Sequence, residues 1–175
     1  MQPVNRVIQT ILLAAGILVA GGCAVTPSIN PVSIVQVNQP LEIPNRKARV
    51  YIQNGDVTAK RDLDPWNIYC SVLMQNVHTA GEPKLTVSPG QFEIIKVREY
   101  DEHQYFPGNF VASLLEWHNI PPIVIFTVEM RLKSPEQPGV RALICAKQVE
   151  SYGRHYPTLA EIKTALGNAI EIKTP

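Results

Sequence analysis

Apolar residues recur at every second position through most of this chain. In "WNIYCSVLM", Trp66, Ile68, Cys70, Val72 and Met74 share one parity. Such alternation predicts a half-buried β-strand, because successive side chains of a strand point to opposite faces. Val124, Phe126, Val128, Met130 and Leu132 repeat the pattern after Pro121-Pro122, and "VRALICAK" resumes it beyond the connector "SPEQPG". Together they predict a hairpin. "QFEIIKV", after the turn residues Ser88-Pro89-Gly90, predicts a further strand. The sharpest local prediction lies in "RVYIQNGDVTAK". Asn54-Gly55 is the favoured pair for a type I′ turn, whose two central residues both need φ above zero. That turn sets Ile52 against Val57, Val50 against Ala59 and Tyr51 against Thr58.

The period changes near the end. In "YPTLAEIKTALGNAIEI", Leu159, Ile162, Leu166 and Ile170 stand at helical spacing, Thr158 and Glu161 suit a capping box, and Gly167 suits a stop. The pattern predicts a helix at 158 to 166 and then a short strand. "SLLEWH", residues 113 to 118, fits a helical turn as well as a loop. Prolines 27, 31, 40 and 44 predict an extended tether over residues 23–45, since proline lacks the N–H a ladder needs. Within it, Val32, Ile34 and Val37 fit a short edge strand. The expected fold is mainly β: one antiparallel sandwich or partly open barrel over residues 46–175, with one short C-terminal helix.

The first residues follow a different logic. Met1 to Arg6 carry a basic side chain and no acid, and the apolar run Ile11 to Ala20 follows. It falls short of the roughly 20 residues a transmembrane helix needs. A basic start, a short apolar run and the small residues Ala20, Gly21 and Gly22 have the layout of a secretory signal peptide over residues 1–22. An uncleaved anchor and a plain signal peptide are the alternatives. The first conflicts with the short run, and the second leaves an odd cysteine in an oxidising compartment.

"ILVAGGCAV", with Cys23 directly behind the small residues, resembles the lipobox of bacterial lipoproteins. That resemblance implies acylation of Cys23 and anchoring in the bilayer without a transmembrane helix. Several acyl chains make such anchoring stable, each buried CH2 contributing about 0.8 kcal/mol. With Ala24 rather than Asp after the cysteine, the resemblance also implies the outer membrane, facing the periplasm. The body of the chain, through "ARVYIQNG", "WNIYC", "PGQFEIIKV" and "YPTLAEIKTALG", resembles a group of uncharacterised envelope lipoproteins of Gram-negative bacteria. This second resemblance implies a periplasmic β domain with a disulfide and implies no mechanism.

Composition narrows the function classes. Sixteen basic residues, Arg6 among them, stand against fifteen acidic ones, so the chain beyond the leader is formally neutral. Neutrality gives no support for a nucleic-acid partner, which calls for a basic stripe. Apolar residues make up 45% and charged residues 18%, the balance of a globule rather than a disordered chain. With Cys23 acylated, Cys70 and Cys145 remain as an even pair where disulfides form, and a bridge is the expected use of both.

Candidate chemistry concentrates in "REYDEHQY". Glu99, Asp101, Glu102 and His103 offer oxygen and nitrogen ligands, yet neighbours on an extended chain diverge, and a metal needs converging ligands. A solvated polar loop is the simpler reading. Tyr100, Asp101, His103 and Tyr105 are then the candidate recognition loop, with Trp66, Tyr69, Phe106 and Trp117 as further aromatics for a glycan or peptide platform. Cys145 with His155 can be drawn as nucleophile and base, but the apolar strand around Cys145 favours the bridge. No G-x-S-x-G, H-E-x-x-H or P-loop is present. The expectation is a non-catalytic, lipid-anchored binding or assembly module, without cofactor or metal, whose partners are the bilayer through Cys23 and another envelope protein. The alternative is a periplasmic hydrolase, metal-dependent or not, using residues 99–103.

Overall fold

In the computed structural model, which describes residues 33–44, 47–75, 85–104, 123–150 and 155–174, the alternating segments form strands. In chain order these are β1 (Ile34–Val37), β2 (Leu41–Glu42), β3 (Arg49–Gln53), β4 (Asp56–Thr58), β5 (Tyr69–Met74), β6 (Thr86–Val87), β7 (Gly90–Gln104), β8 (Ile123–Lys133), β9 (Val140–Glu150) and, after the helix α1 (Leu159–Leu166), β10 (Ile170–Lys173). Eight of them build one antiparallel sheet in the order β10-β1-β7-β8-β9-β5-β3-β4, while β2 pairs with β6. The sheet curls into a half-barrel, the open-barrel form of the expected mainly β domain. No helix among the described residues is long and apolar enough to cross a membrane.

Period-two patterning decides what lies inside. Val50, Val72, Leu143 and Met130 stand opposite one another across β3, β5, β9 and β8, and Ile52, Cys70, Cys145 and Val128 form the adjoining row. All eight are buried. Burying such aliphatic side chains contributes about 1.5–3 kcal/mol apiece, the main drive for closing the sheet over its core. Val124, Phe126 and Leu132 complete the inward face of β8 as the alternation predicts. Cys70 and Cys145, paired in register, are joined by a disulfide.

The predicted hairpin forms. Asn54 (φ 55°) and Gly55 (φ 87°) both take the left-handed conformation a type I′ turn requires. Tyr51 pairs with Thr58 and Ile52 with Val57, but β4 ends there, so the expected Val50–Ala59 pair does not form. Helix α1 starts on the predicted capping box. Thr158 Oγ1 accepts from the Glu161 N–H at 3.3 Å, and Glu161 Oε2 accepts from the Thr158 N–H at 2.7 Å. Its buried stripe is Ile162, Ala165 and Leu166, and Gly167 ends it.

Two glycines tie the sheet's ends together. The Gly55 N–H donates to the Ala165 carbonyl at 2.9 Å, seating the tip of the β3–β4 hairpin on the last turn of α1. From there the chain runs directly into β10, the opposite edge of the sheet. Gly167 has φ 53° and ψ −133°, a conformation essentially confined to glycine, and a Cβ placed on it would lie 2.5 Å from the Gly55 Cα. Neither backbone can yield without breaking the contact. Gly167→Ala is therefore expected to destabilise the domain by about 1–2 kcal/mol, read as a lower denaturation midpoint. An unchanged midpoint would show that the hairpin tip and the helix end are not locked.

Three expectations need correction. The 23–45 segment is not a tether throughout. β1 lies between β10 and β7 as an interior strand rather than an edge, and Val35, Val37, Leu41 and Ile43 are buried. Pro40 and Pro44 sit just outside β1 and β2, where no ladder N–H is required. Trp66 does not join the inward face of β5. Asp64 Oδ1 accepts from the Trp66 N–H at 3.0 Å, and the resulting turn leaves the indole 51% exposed, with the strand beginning at Tyr69. Finally, residues 100–103 are not a loop, because β7 runs on to Gln104. Cys23 and the leader, Tyr105, Phe106, the 113–118 stretch and Trp117 lie outside the described residues.

Candidate functional site

The outward face of the sheet carries a groove of about 440 Å³. Strand register explains its floor. Residues one step out of phase with the core rows face away from it, and one outward row reads Tyr69, Ala146, Thr127 and Tyr100 across β5, β9, β8 and β7. Two tyrosines thus flank two small residues, a slot between aromatic ends. A second row, Gln148, Ile125 and Glu102, lies beside it, and a third brings Tyr51, Ser71 and Ile144. All ten residues line the groove.

The wall comes from the segment between β4 and β5, which contributes Lys60, Leu63 and Pro65. It is held by Gln53, a buried residue whose parity on β3 is that of Arg49 and Tyr51. The Gln53 amide donates to the carbonyls of Asp64 (2.8 Å), Asn67 (3.3 Å) and Ile68 (3.3 Å), while its oxygen accepts from the Asp64 N–H at 3.0 Å. A loop without strand pairing is fixed this way against a rigid sheet. Arg49 also lines the groove, and among the described residues it makes no ion pair.

Burial reinforces the neutrality of the groove's phenols. Desolvation pushes the Tyr69 hydroxyl upward, helped by Tyr51, Glu102 and Tyr100 and opposed by Arg49. Desolvation raises Tyr100 as well, with Glu129 and Glu102 adding to it and Arg49 again opposing. Like any phenol both are neutral at physiological pH, and the shift keeps them hydrogen-bond donors further into alkali.

The cluster at 99–103 divides between the two faces of β7. Tyr100 and Glu102 enter the groove. Asp101 pairs across the ladder with Phe126, on the inward parity, and approaches His103 Nε2 at 3.2 Å. Asp101 also accepts from the Tyr156 hydroxyl at 3.3 Å, and Tyr156 packs edge-on to Phe126 with centroids 5.0 Å apart. Burial, followed by the Asp101 charge and hydrogen bond, raises the Tyr156 phenol. The recognition residues Tyr100, Asp101 and His103 thus fall into two separate environments. Among the described residues no three His, Cys, Asp or Glu side chains gather to hold a metal. Ser71 in the groove has no histidine among the lining residues to act as its base. Cys145 is held by Cys70, which removes the thiol a pairing with His155 would need.

One polar feature escaped the sequence. Lys147 on β9 is buried, and its Nζ donates to Glu161 Oε1 at 2.6 Å. Burial pushes the Glu161 carboxyl up, but the Lys147 hydrogen bond, the Thr158 N–H and hydroxyl, and the Lys147 charge outweigh it and bring the group down to about 2. The signal was available, since Lys147 stands two positions from Cys145 and so has inward parity. A lysine placed there needs an anion.

No protein-family model, no curated protein and no solved structure matches this chain.

Proposed function

We propose that this chain is a lipid-anchored protein of the bacterial outer membrane, facing the periplasm, whose β domain binds a second envelope component and carries out no covalent chemistry. The observation that carries the binding reading is the outward row Tyr69, Ala146, Thr127 and Tyr100, an aromatic-ended slot on a rigid sheet with Arg49 at hand. Sites of this kind, concave and with a few convergent polar groups, are where ligands dock. The anchoring reading rests on "ILVAGGCAV" and Cys23. A hydrolase built on residues 99–103 finds less support, because Asp101 and His103 stand apart from Glu102 on the other face of β7.

Two experiments test this reading in cells. A photo-crosslinker replacing Tyr100 is expected to capture a discrete species, whereas one at the exposed helix position Lys163 captures none; equal yields at both positions would count against the groove. Labelled palmitate is expected to enter the full-length chain and to be lost entirely in Cys23→Ala. Retention of label in that variant, or no label in either, would overturn the anchor.

A further inference from the structure

We infer that the groove takes a carboxylate-bearing oligosaccharide, with Arg49 reading the acid and Tyr69 and Tyr100 bracketing the sugar; this rests on the binding reading above. Four observations lead to it. The bracketing tyrosines stand on β5 and β7, with β9 and β8 between them. Three inter-strand steps separate them by roughly 14 Å, a span suited to a short saccharide rather than a single ion.

The floor between them is made of short side chains. Ala146 and Thr127 are each 5% exposed and too short to fill the slot. A pyranose ring offers an apolar C–H face to such a floor and to the tyrosine rings, with hydroxyls around its edge. The groups available to those hydroxyls are neutral phenols that donate, the Gln148 amide and the Glu102 carboxylate that accepts.

Backbone pairing is closed to a ligand lying across the groove's floor. Tyr69, Ala146 and Thr127 stand on β5, β9 and β8, each with a strand on both sides, whereas among the described residues β7 beyond Ile94 pairs with β8 alone. Strand addition needs a free edge. Over that floor recognition runs through side chains: hydroxyl, amide and aromatic groups, with the apolar Leu63, Pro65, Ile125, Ile144 and Ala146 among them.

Charge selects within the glycan class. Arg49 and Lys60 line the groove against Glu102 alone. A guanidinium that lines the same groove as the tyrosines, with no ion pair among the described residues, suits the two-oxygen fork of a carboxylate.

The test titrates the detergent-solubilised full chain with tri-galacturonic acid and, separately, with its methyl ester. The acid is expected to bind saturably and the ester about tenfold more weakly or worse, since a hydrogen bond to a charged group contributes about one to two decades of affinity. Arg49→Ala is expected to erase the difference between acid and ester, and Arg49→Lys to restore part of it, with both variants keeping the wild-type melting temperature. Should Arg49→Ala fail to fold, Lys60→Ala, on an exposed turn, is expected to narrow the same difference. Equal affinity for acid and ester, or an undiminished preference in a folded Arg49→Ala, would overturn the assignment. If neither saccharide binds while the Tyr100 crosslinker still captures a polypeptide, the ligand class falls and the binding reading stands. If both experiments fail, both readings fall.

Discussion

Replacing Cys70 and Cys145 together by alanine is expected to lower the free energy of unfolding by about 2–4 kcal/mol. The bridge spans 75 positions of sequence, so its loss releases a large closed loop in the unfolded chain. Its folded-state setting adds to the effect. Both residues are fully buried, directly opposite one another on β5 and β9, in the core row that runs from Ile52 to Val128. β5 carries β3 and β4 behind it, so the covalent link holds three strands to the body of the sheet. Urea unfolding checks this. The double variant should show a lower midpoint and a steeper slope, because an uncrosslinked unfolded chain exposes more surface. An unchanged midpoint under non-reducing conditions, or reactive thiols at both positions in denatured wild type, would refute the structural role.

Local signals were legible in the sequence and assembled ones were not. Asn54-Gly55, the Thr158 and Glu161 capping box and the alternation of β8 each need only a few neighbouring residues to specify them, and each forms as read. β1 reads as an edge in the sequence because its partners are remote. β10 lies more than a hundred residues downstream, and only the folded sheet shows that it covers the other side. Trp66 failed for a related reason, since its parity continued that of β5 while Asp64 ended the strand with a turn.

The groove was the least legible part. Its floor draws on five strands, and no spacing in the chain brings Tyr69, Ala146, Thr127 and Tyr100 into one row. Tyr69 and Tyr100 nevertheless read from sequence as aromatics suited to recognition. They stand together because the outward parity of β5 and that of the far half of β7 coincide. A register shift at Ile94/Lys96 resets the parity of that far half, so the bulge decides which members of the 99–103 cluster enter the groove.

Glu161→Ala is expected to cost about 3 kcal/mol, because one carboxylate serves two structures. It caps α1 through the Thr158 N–H and neutralises Lys147 through the 2.6 Å contact. Losing the cap costs about 1 kcal/mol. Leaving a buried ammonium without its anion accounts for the rest, held below the range for fully buried pairs because the Glu161 side chain is 36% exposed and solvent screens it. Glu161→Gln separates the parts, since glutamine keeps the capping geometry and loses the charge. Lys147→Met in the Glu161→Ala background should recover most of the charge part and leave the cap's share. The pH dependence follows from the same group. Its folded value of about 2 lies below its ordinary 4.5, so its contribution is fully present above about pH 4.5 and drains away as pH falls towards 2. Wild type should lose stability across that window, and Glu161→Gln should lose less of it. Parallel acid profiles for the two proteins would mean that the Lys147–Glu161 contact adds nothing to the fold.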